Sequence, residues 1–411
     1  MQAHPFQQTV SADAEIVIVG GGLVGASLAI ALDLMGRPAV LVEATAPRPD
    51  TQPSHDDRNL ALSRTTVNGL RRLGVWEHAA AFAEPIREVH VSRAGSFGSL
   101  RIEAQRAGVE ALGWTLPARA LGRALLQRLE ACRQLRRQAP ARLVAADPVS
   151  GGWRLELQTA EGLQTCLTPL LVGADGTASM VRDRLGIGAV RHDYGQTLFV
   201  ATVASERPHQ GRAWERFRET GPVAVLPLPD GRCGVVLTVP GEEAQALAEL
   251  DDSAFIQRVQ DDFGWWLGRL SQPGRRHGYP IASCAAGRLT GERAVLVGNA
   301  AQTVHPVGAQ GFNLGLRDAL SLAEMVGEAA DPGLDSLLQA YARRRESDRA
   351  ATMQASDRLI RLVCHAPAWT GPLHSLGLLL IDRLDGLHQA VARQGMGFRP
   401  GLPLSQMELR E

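Results

Sequence analysis

Residues 15–44 read EIVIVGGGLVGASLAIALDLMGRPAVLVEA, and this stretch decides the fold. Ile16–Val19 is a β-branched run that predicts a buried strand. Gly20, Gly22 and Gly25 follow in G-x-G-x-x-G spacing, residues 26–34 predict a helix, and Ala39–Val42 predicts a second strand ending on Glu43. Each part has a mechanical purpose. The glycines allow a tight turn and the close approach of backbone to a pyrophosphate, and the helix N-terminus offsets its charge. Glu43 falls about 20 residues beyond the glycines, where a carboxylate binds adenosine ribose hydroxyls and disfavours the 2′-phosphate of NADP in this groove. Glycines alone would be a weak signal; in their strand–turn–helix–strand setting they predict a bound dinucleotide.

Two later stretches repeat the arrangement. Residues 170–187, LLVGADGTASMVRDRLGI, run an apolar strand into Asp175-Gly176 and then a helix. Residues 297–319, VGNAAQTVHPVGAQGFNLGLRDA, follow a second such strand, RAVLV. They form a loop of small residues and enter a helix with apolar positions Leu314, Leu316, Ala319, Leu322, Ala323 and Val326. A helix N-terminus behind such a loop points backbone N–H groups at something electron-rich.

Composition narrows the classes. The chain has 411 residues, 45% hydrophobic and 21% charged, with formal net charge +0. This is enough length for two or more domains, and nothing in it marks a nucleic-acid binder. Lysine does not occur, so Schiff-base and P-loop chemistry are excluded. The cysteines, Cys132, Cys166, Cys233, Cys284 and Cys364, are scattered without CxxC spacing. They predict a reducing compartment, no disulfide framework and no zinc or other metal site. No signal peptide and no membrane-spanning run are legible, which predicts a cytoplasmic protein.

Taken in order, the three fingerprints resemble those of the single-component flavoprotein aromatic hydroxylases. The resemblance covers nearly the whole chain. DDRNLALSRTTVNGLRRLGVWE (56–77) is similar to the segment whose arginine, here Arg58, reaches the flavin; ARALGRALLQRLE matches the helix whose arginine, here Arg123, contacts the cofactor phosphate. For both arginines a solvated helix face stays open. DYGQTLFVATV and AWERFRETGPVAVLPLPDGRCGVVLTV alternate with period 2 and resemble the substrate sheet of the ubiquinone-biosynthesis hydroxylases. GNAAQTVHP is similar to the 2-polyprenyl-6-methoxyphenol hydroxylase branch, with Asn299 where sister enzymes keep aspartate.

The resemblance implies an α/β fold: a Rossmann-type FAD-binding domain interrupted by a mixed β-sheet substrate domain, with C-terminal helices. Residues 1–72, 105–190 and 282–355 would form the first, 73–104 and 191–281 the second, and 356–411 the helical end. It implies hydroxylation of a polyprenylated phenol with O2 through a C4a-hydroperoxyflavin, with NAD(P)H or a reductase as electron donor. Gly20, Gly22, Gly25, Glu43, Arg58, Arg123, Asp175, Gly176, Gly298, Asn299, Gly311 and Asn313 would hold FAD. His305 and Pro306 sit beside the ring, His305 either as proton acceptor or as a packed histidine shaping the turn. Ala309 replaces a family glycine, so a left-handed backbone there would be strained.

The segment LIRLVCHAPAWTGPLHSLGLLLIDRLDGLHQAVARQGMGF alternates apolar turns with arginines. It is read either as core and subunit contact or as a peripheral anchor on the inner face of the cytoplasmic membrane. Trp265, Trp266 and Trp369 are candidates for a prenyl tunnel, burial alone being the other reading. A complex with other ubiquinone-biosynthesis proteins is an accompanying expectation. The rivals are hydroxylation of another ring position or of a small phenol, and a non-catalytic flavoprotein scaffold. A flavin halogenase is disfavoured because neither its lysine nor a WxWxIP motif is present.

Overall fold

A computed structural model describes residues 14–46, 58–363, 371–399 and 401–407. The strands of the first fingerprint form the centre of a six-stranded sheet. Its order is Thr290–Gly291, Ala294–Leu296, Leu170–Gly173, Ile16–Val19, Ala39–Val42, Leu135–Gln138, parallel except at the first pair. Every residue of Ile16–Val19, Ala39–Val42 and Leu170–Gly173 is buried, as strands covered on both faces must be. The helices Leu23–Leu34 and Gln310–Val326 cross at small residues. A Cβ on Gly315 would lie 2.7 Å from the Val24 side chain.

The second body is a nine-stranded sheet that includes Glu88–Arg93, Ser99–Glu103, Ala189–Ser205, Arg212–Phe217, Val223–Pro227, Arg232–Pro240 and His277–Ala286. Its alternation divides cleanly by face. Trp214, Val225, Val235 and Phe199 pack against Phe255, Val259 and Phe263 of the helix Asp252–Phe263. That helix is fixed at its start by Asp251, whose carboxylate accepts from Ala254 N at 2.8 Å. The opposite face turns toward the loop 303–309: Phe217 packs on Val307, and Tyr194 meets the ring of His305.

Several elements were not legible. The antiparallel sheet Ala141–Val149, Gly152–Thr159 and Gly162–Thr168 lies between the third and fourth parallel strands of the first body in sequence. A further three-stranded sheet joins Asn59–Ser63, Gly113–Pro117 and Glu84–Ile86. The helix Asp335–Val363 runs unbroken through position 355. The C-terminal helices Gly371–Arg383 and Asp385–Gly395 lie over the edge strand Ser99–Glu103. There Asp382 accepts from Arg101 N, and His388 Nε2 bonds the Arg101 carbonyl at 2.9 Å.

The expectation for the paired tryptophans is overturned. Trp265 and Trp266 are 63% and 46% exposed, and Trp266 stands edge-on to His90 on the helix-covered side of the large sheet, away from the loop. The Gly264 turn that ends the preceding helix points them outward, so neither burial nor a tunnel accounts for them. Trp369 lies outside the described residues.

Candidate functional site

At the first fingerprint the backbone leaves no room for side chains. Gly20 has φ +107°, and a Cβ on Gly25 would sit 1.9 Å from the Gly20 carbonyl oxygen. Gly22 is the N-cap of the helix Leu23–Leu34 without a side-chain cap, so the first helical N–H groups face the groove. Glu43 closes the far side. Its Oε2 accepts from Gly21 N at 2.7 Å and its Oε1 from Thr45 N at 2.8 Å. Beside it opens a small cleft bounded by Gly21, Leu41, Glu43, Leu126, Leu129 and Ala139. A pyrophosphate at the helix and an adenosine ribose at Glu43 fit this cradle.

Asp175 is turned into the protein. It accepts from Ser179 Oγ at 2.5 Å and Val181 N at 3.1 Å, tying down the start of the helix Met180–Arg184. Burial raises its pKa against those hydrogen bonds. Gly176 takes φ +84° in the turn. Arg58 is exposed and its guanidinium stands 5.3 Å from the centre of the Tyr279 ring, reaching the large sheet. Arg123 lies on the exposed face of the helix Ala118–Glu130.

The third fingerprint is held from beneath. Gly298 (φ +59°) starts a single helical turn, and Asn299 is exposed on it with no hydrogen bond among the described residues. Below, Asp318 Oδ2 accepts from Gly298 N at 3.2 Å and Gln302 Nε2 at 2.6 Å. Its Oδ1 accepts from Arg345 Nε at 2.8 Å. Arg345 and Arg317 both pair with Asp348, each at 2.7 Å, and all four side chains are buried. Burial alone would raise Asp348, but Arg317 and Arg345 outweigh it and hold the carboxyl below its ordinary value. Arg182 adds a lateral tie, donating to Ala300 O and Thr177 O and so joining the second fingerprint to the third.

His305 is buried, and its Nδ1 accepts from Val307 N at 3.1 Å. That bond assigns the neutral ring's proton to Nε2 and occupies the lone pair a base would use. Pro306 precedes Gly308 (φ +68°) and Ala309, which adopts φ 50°, ψ 40°. The left-handed backbone expected to strain Ala309 is therefore present, at a cost of about 1 kcal/mol. Ala309 gives the helix Gln310–Val326 no side-chain cap, so its first N–H groups stay available beside Gly311. Asn313 is committed to protein: Oδ1 accepts from Ser63 N, and Nδ2 donates to Ala61 O and Ala309 O. What Asn313 offers a ligand comes through the backbone it positions.

The residues the sequence reading missed are the supports. Arg317 and Asp318 stand in the third fingerprint, yet only their partners on another helix show that they carry it. Arg345 and Asp348 are three apart, a spacing equally common on a solvated helix face. Glu215 was also passed over, because a charge in the run WERF does not tell which face it occupies.

Three glycine turns over a parallel sheet, with a helix N-terminus behind the first and third, define a dinucleotide-binding protein. The FAD binding domain family matches residues 13–356, and the chain belongs to it, within the FAD-dependent aromatic hydroxylases. Among its relatives, the ubiquinone hydroxylase UbiL of Rhodospirillum rubrum is 35% identical over 395 residues, 95% of this chain and 91% of that protein. The 3-demethoxyubiquinol 3-hydroxylase of Escherichia coli is 28% identical over 93% of this chain and 98% of its own. The p-nitrophenol 4-monooxygenase of Pseudomonas putida shares the fold, with a TM-score of 0.75 at 15% identity, covering 93% of this chain and 97% of that one.

Proposed function

We propose that this hydroxylase acts in ubiquinone biosynthesis on a polyprenylated phenol, 2-polyprenyl-6-methoxyphenol, using O2 and electrons from NAD(P)H, directly or through a reductase. The observation that carries this reading is the pairing of the intact FAD cradle with full-length similarity to ubiquinone hydroxylases. FAD, when bound, supplies the oxygen-activating chemistry. The chain's own part is to hold it between the helix N-termini at Leu23 and Gln310 and to seat the phenol between the 303–309 loop and the large sheet. Leu198, Val200, Ile281, Tyr194 and Tyr279 make that sheet face apolar, which favours an aromatic ring and keeps water out.

A polyprenyl tail resides in lipid, and the outer face of the C-terminal helices suits a bilayer surface. Leu376, Leu380, Leu384 and Leu387 recur at helical spacing and are each about half exposed, while Asp382 faces inward to Arg101 and Arg106. Among the described residues no helix is long and apolar enough to cross a membrane. Deleting the gene and profiling lipids by mass spectrometry tests the substrate. Accumulation of 2-polyprenyl-6-methoxyphenol is expected; accumulation of a different phenol would move the enzyme to another ring position, and unchanged ubiquinone would remove the assignment.

A further inference from the structure

The large sheet carries a carboxylate on the face that turns toward the 303–309 loop. In the strand Arg212–Phe217, Trp214 packs under the helix Asp252–Phe263, so Ala213, Glu215 and Phe217 take the other face. Phe217 touches Val307, two residues past His305, which places that face against the loop beside the proposed flavin position. Directly across the ladder from Glu215 stand Val91 and Ala224, and the latter continues to Val236 of the Tyr194–Tyr279 cluster. The small side chains Ala213 and Ala224 leave room over the carboxylate.

Across the described strands Glu88–Arg93, Ser99–Glu103, Arg212–Phe217, Val223–Pro227, Arg232–Pro240 and His277–Ala286 the register puts no other Asp or Glu on this face, and in Ala189–Ser205 the one acid, Asp193, is exposed and accepts from Gly195 N. Glu215 makes no hydrogen bond or ion pair with any described residue. Its side chain is half-buried on this face. An acid drawn this far out of water without a partner is costly to the fold, and such a group is retained where a ligand satisfies it.

We propose that Glu215 is the acceptor for the hydroxyl proton of the phenol. The inference rests on the reading of the chain as a hydroxylase of a phenol. In the step, the phenol O–H bond breaks and its electron pair stays on the phenol oxygen. The proton bonds to the Glu215 carboxylate, giving phenolate and carboxylic acid, and later leaves to water. No electrons pass between molecules. The phenolate oxygen pushes density into the ring, which favours attack on an electrophilic oxygen. His305 is the less suitable base, since its Nδ1 lone pair is taken by Val307 N.

Burial with no offsetting charge lifts the Glu215 carboxyl to about 7, so it both ionises and accepts a proton near neutral pH. The charged and titratable groups on this face and the loop opposite are Arg93 on the neighbouring strand, Tyr194 and Tyr279 on the sheet, and Arg58 and His305 across from it.

The test uses the FAD-loaded full chain, Glu215→Gln and Glu215→Asp, with unchanged FAD content and far-UV spectrum as the check on folding. In one arm, 2-methoxyphenol and 1,2-dimethoxybenzene are titrated in and followed by the flavin spectrum. The wild type is expected to prefer the phenol increasingly as pH rises through about 7, and Glu215→Gln to lose that rise. In the second arm, hydroxylation by Glu215→Gln should fall on the order of 100-fold in kcat and lose the limb near pH 7, with partial rescue by Glu215→Asp.

A wild type that does not distinguish phenol from ether, or a Gln variant that keeps the pH rise, overturns the proposal. A wild type that shows the pH-dependent preference but hydroxylates no phenol retains Glu215 as phenol acceptor and removes the hydroxylase reading instead.

Discussion

The two sides of the proposed site are built on opposite principles. On the cofactor side the carboxylates are spoken for: Glu43 by two backbone N–H groups, Asp318 by Gly298, Gln302 and Arg345, and Asp348 by Arg317 and Arg345. On the substrate side the sheet face is apolar and its one carboxylate has no partner among the described residues. The difference teaches where each ligand contributes. The cofactor enters a cradle the protein has already made rigid, whereas the phenol completes a place the protein leaves unsatisfied.

The sharpest way to break the comparison is at Gly25. A Gly25→Ala variant puts a methyl 1.9 Å from the Gly20 carbonyl oxygen, and the purified protein should lose its flavin absorbance entirely. Next comes the network beneath the third fingerprint. Asp348→Ala strands Arg317 in the core and leaves Arg345 with Asp318 alone, and denaturant unfolding should show a loss of about 3–5 kcal/mol. Because Asp348 is held below its ordinary pKa, the stability it contributes is present above the unfolded pKa of about 4 and disappears as pH falls through the lower folded value. The wild type should therefore lose stability on acidification more steeply than Asp348→Asn.

Glu215 has the opposite sign. Its folded pKa lies above its unfolded one, so the native state binds more protons between about 4.5 and 7 and stability declines as pH rises across that window. Glu215→Gln should remove the decline and make the flavin-free protein more stable at pH 8, by about 2 kcal/mol after discounting for partial solvation. An equal loss on both variants would erase the distinction between the two sides. The smallest effects concern surface and strain. Leu376→Asp with Leu380→Asp should reduce sedimentation with lipid vesicles and leave turnover of a short soluble phenol unchanged. Ala309→Gly should stabilise by about 1 kcal/mol, seen as a small rise in Tm, because glycine takes φ 50° without cost.

The cofactor side was also the more legible side. Ile16–Val19 and Ala39–Val42 could be read as strands to the residue, because a buried parallel strand is a continuous apolar run bounded by glycine or an acid. The strain at Ala309 was readable for a similar reason: a missing glycine has one local meaning. The network of Asp318, Arg345 and Asp348 was not readable, since its members come from two helices and charges on helices ordinarily face solvent. Glu215 was hidden by a parity ambiguity. In WERF either Trp214 and Arg216 or Glu215 and Phe217 could face a core, and only the helix Asp252–Phe263 settles which. The paired tryptophans misled because bulk and apolarity suggest burial, while the Gly264 turn decides direction.

The most direct test of the central claim supplies the FAD-loaded protein with an electron donor, a short-chain 2-prenyl-6-methoxyphenol and ¹⁸O2, and reads the product by mass spectrometry. One ¹⁸O atom is expected in a new ring hydroxyl of each product molecule. Oxygen consumed with only peroxide formed, or a hydroxylated product carrying no label, would contradict it.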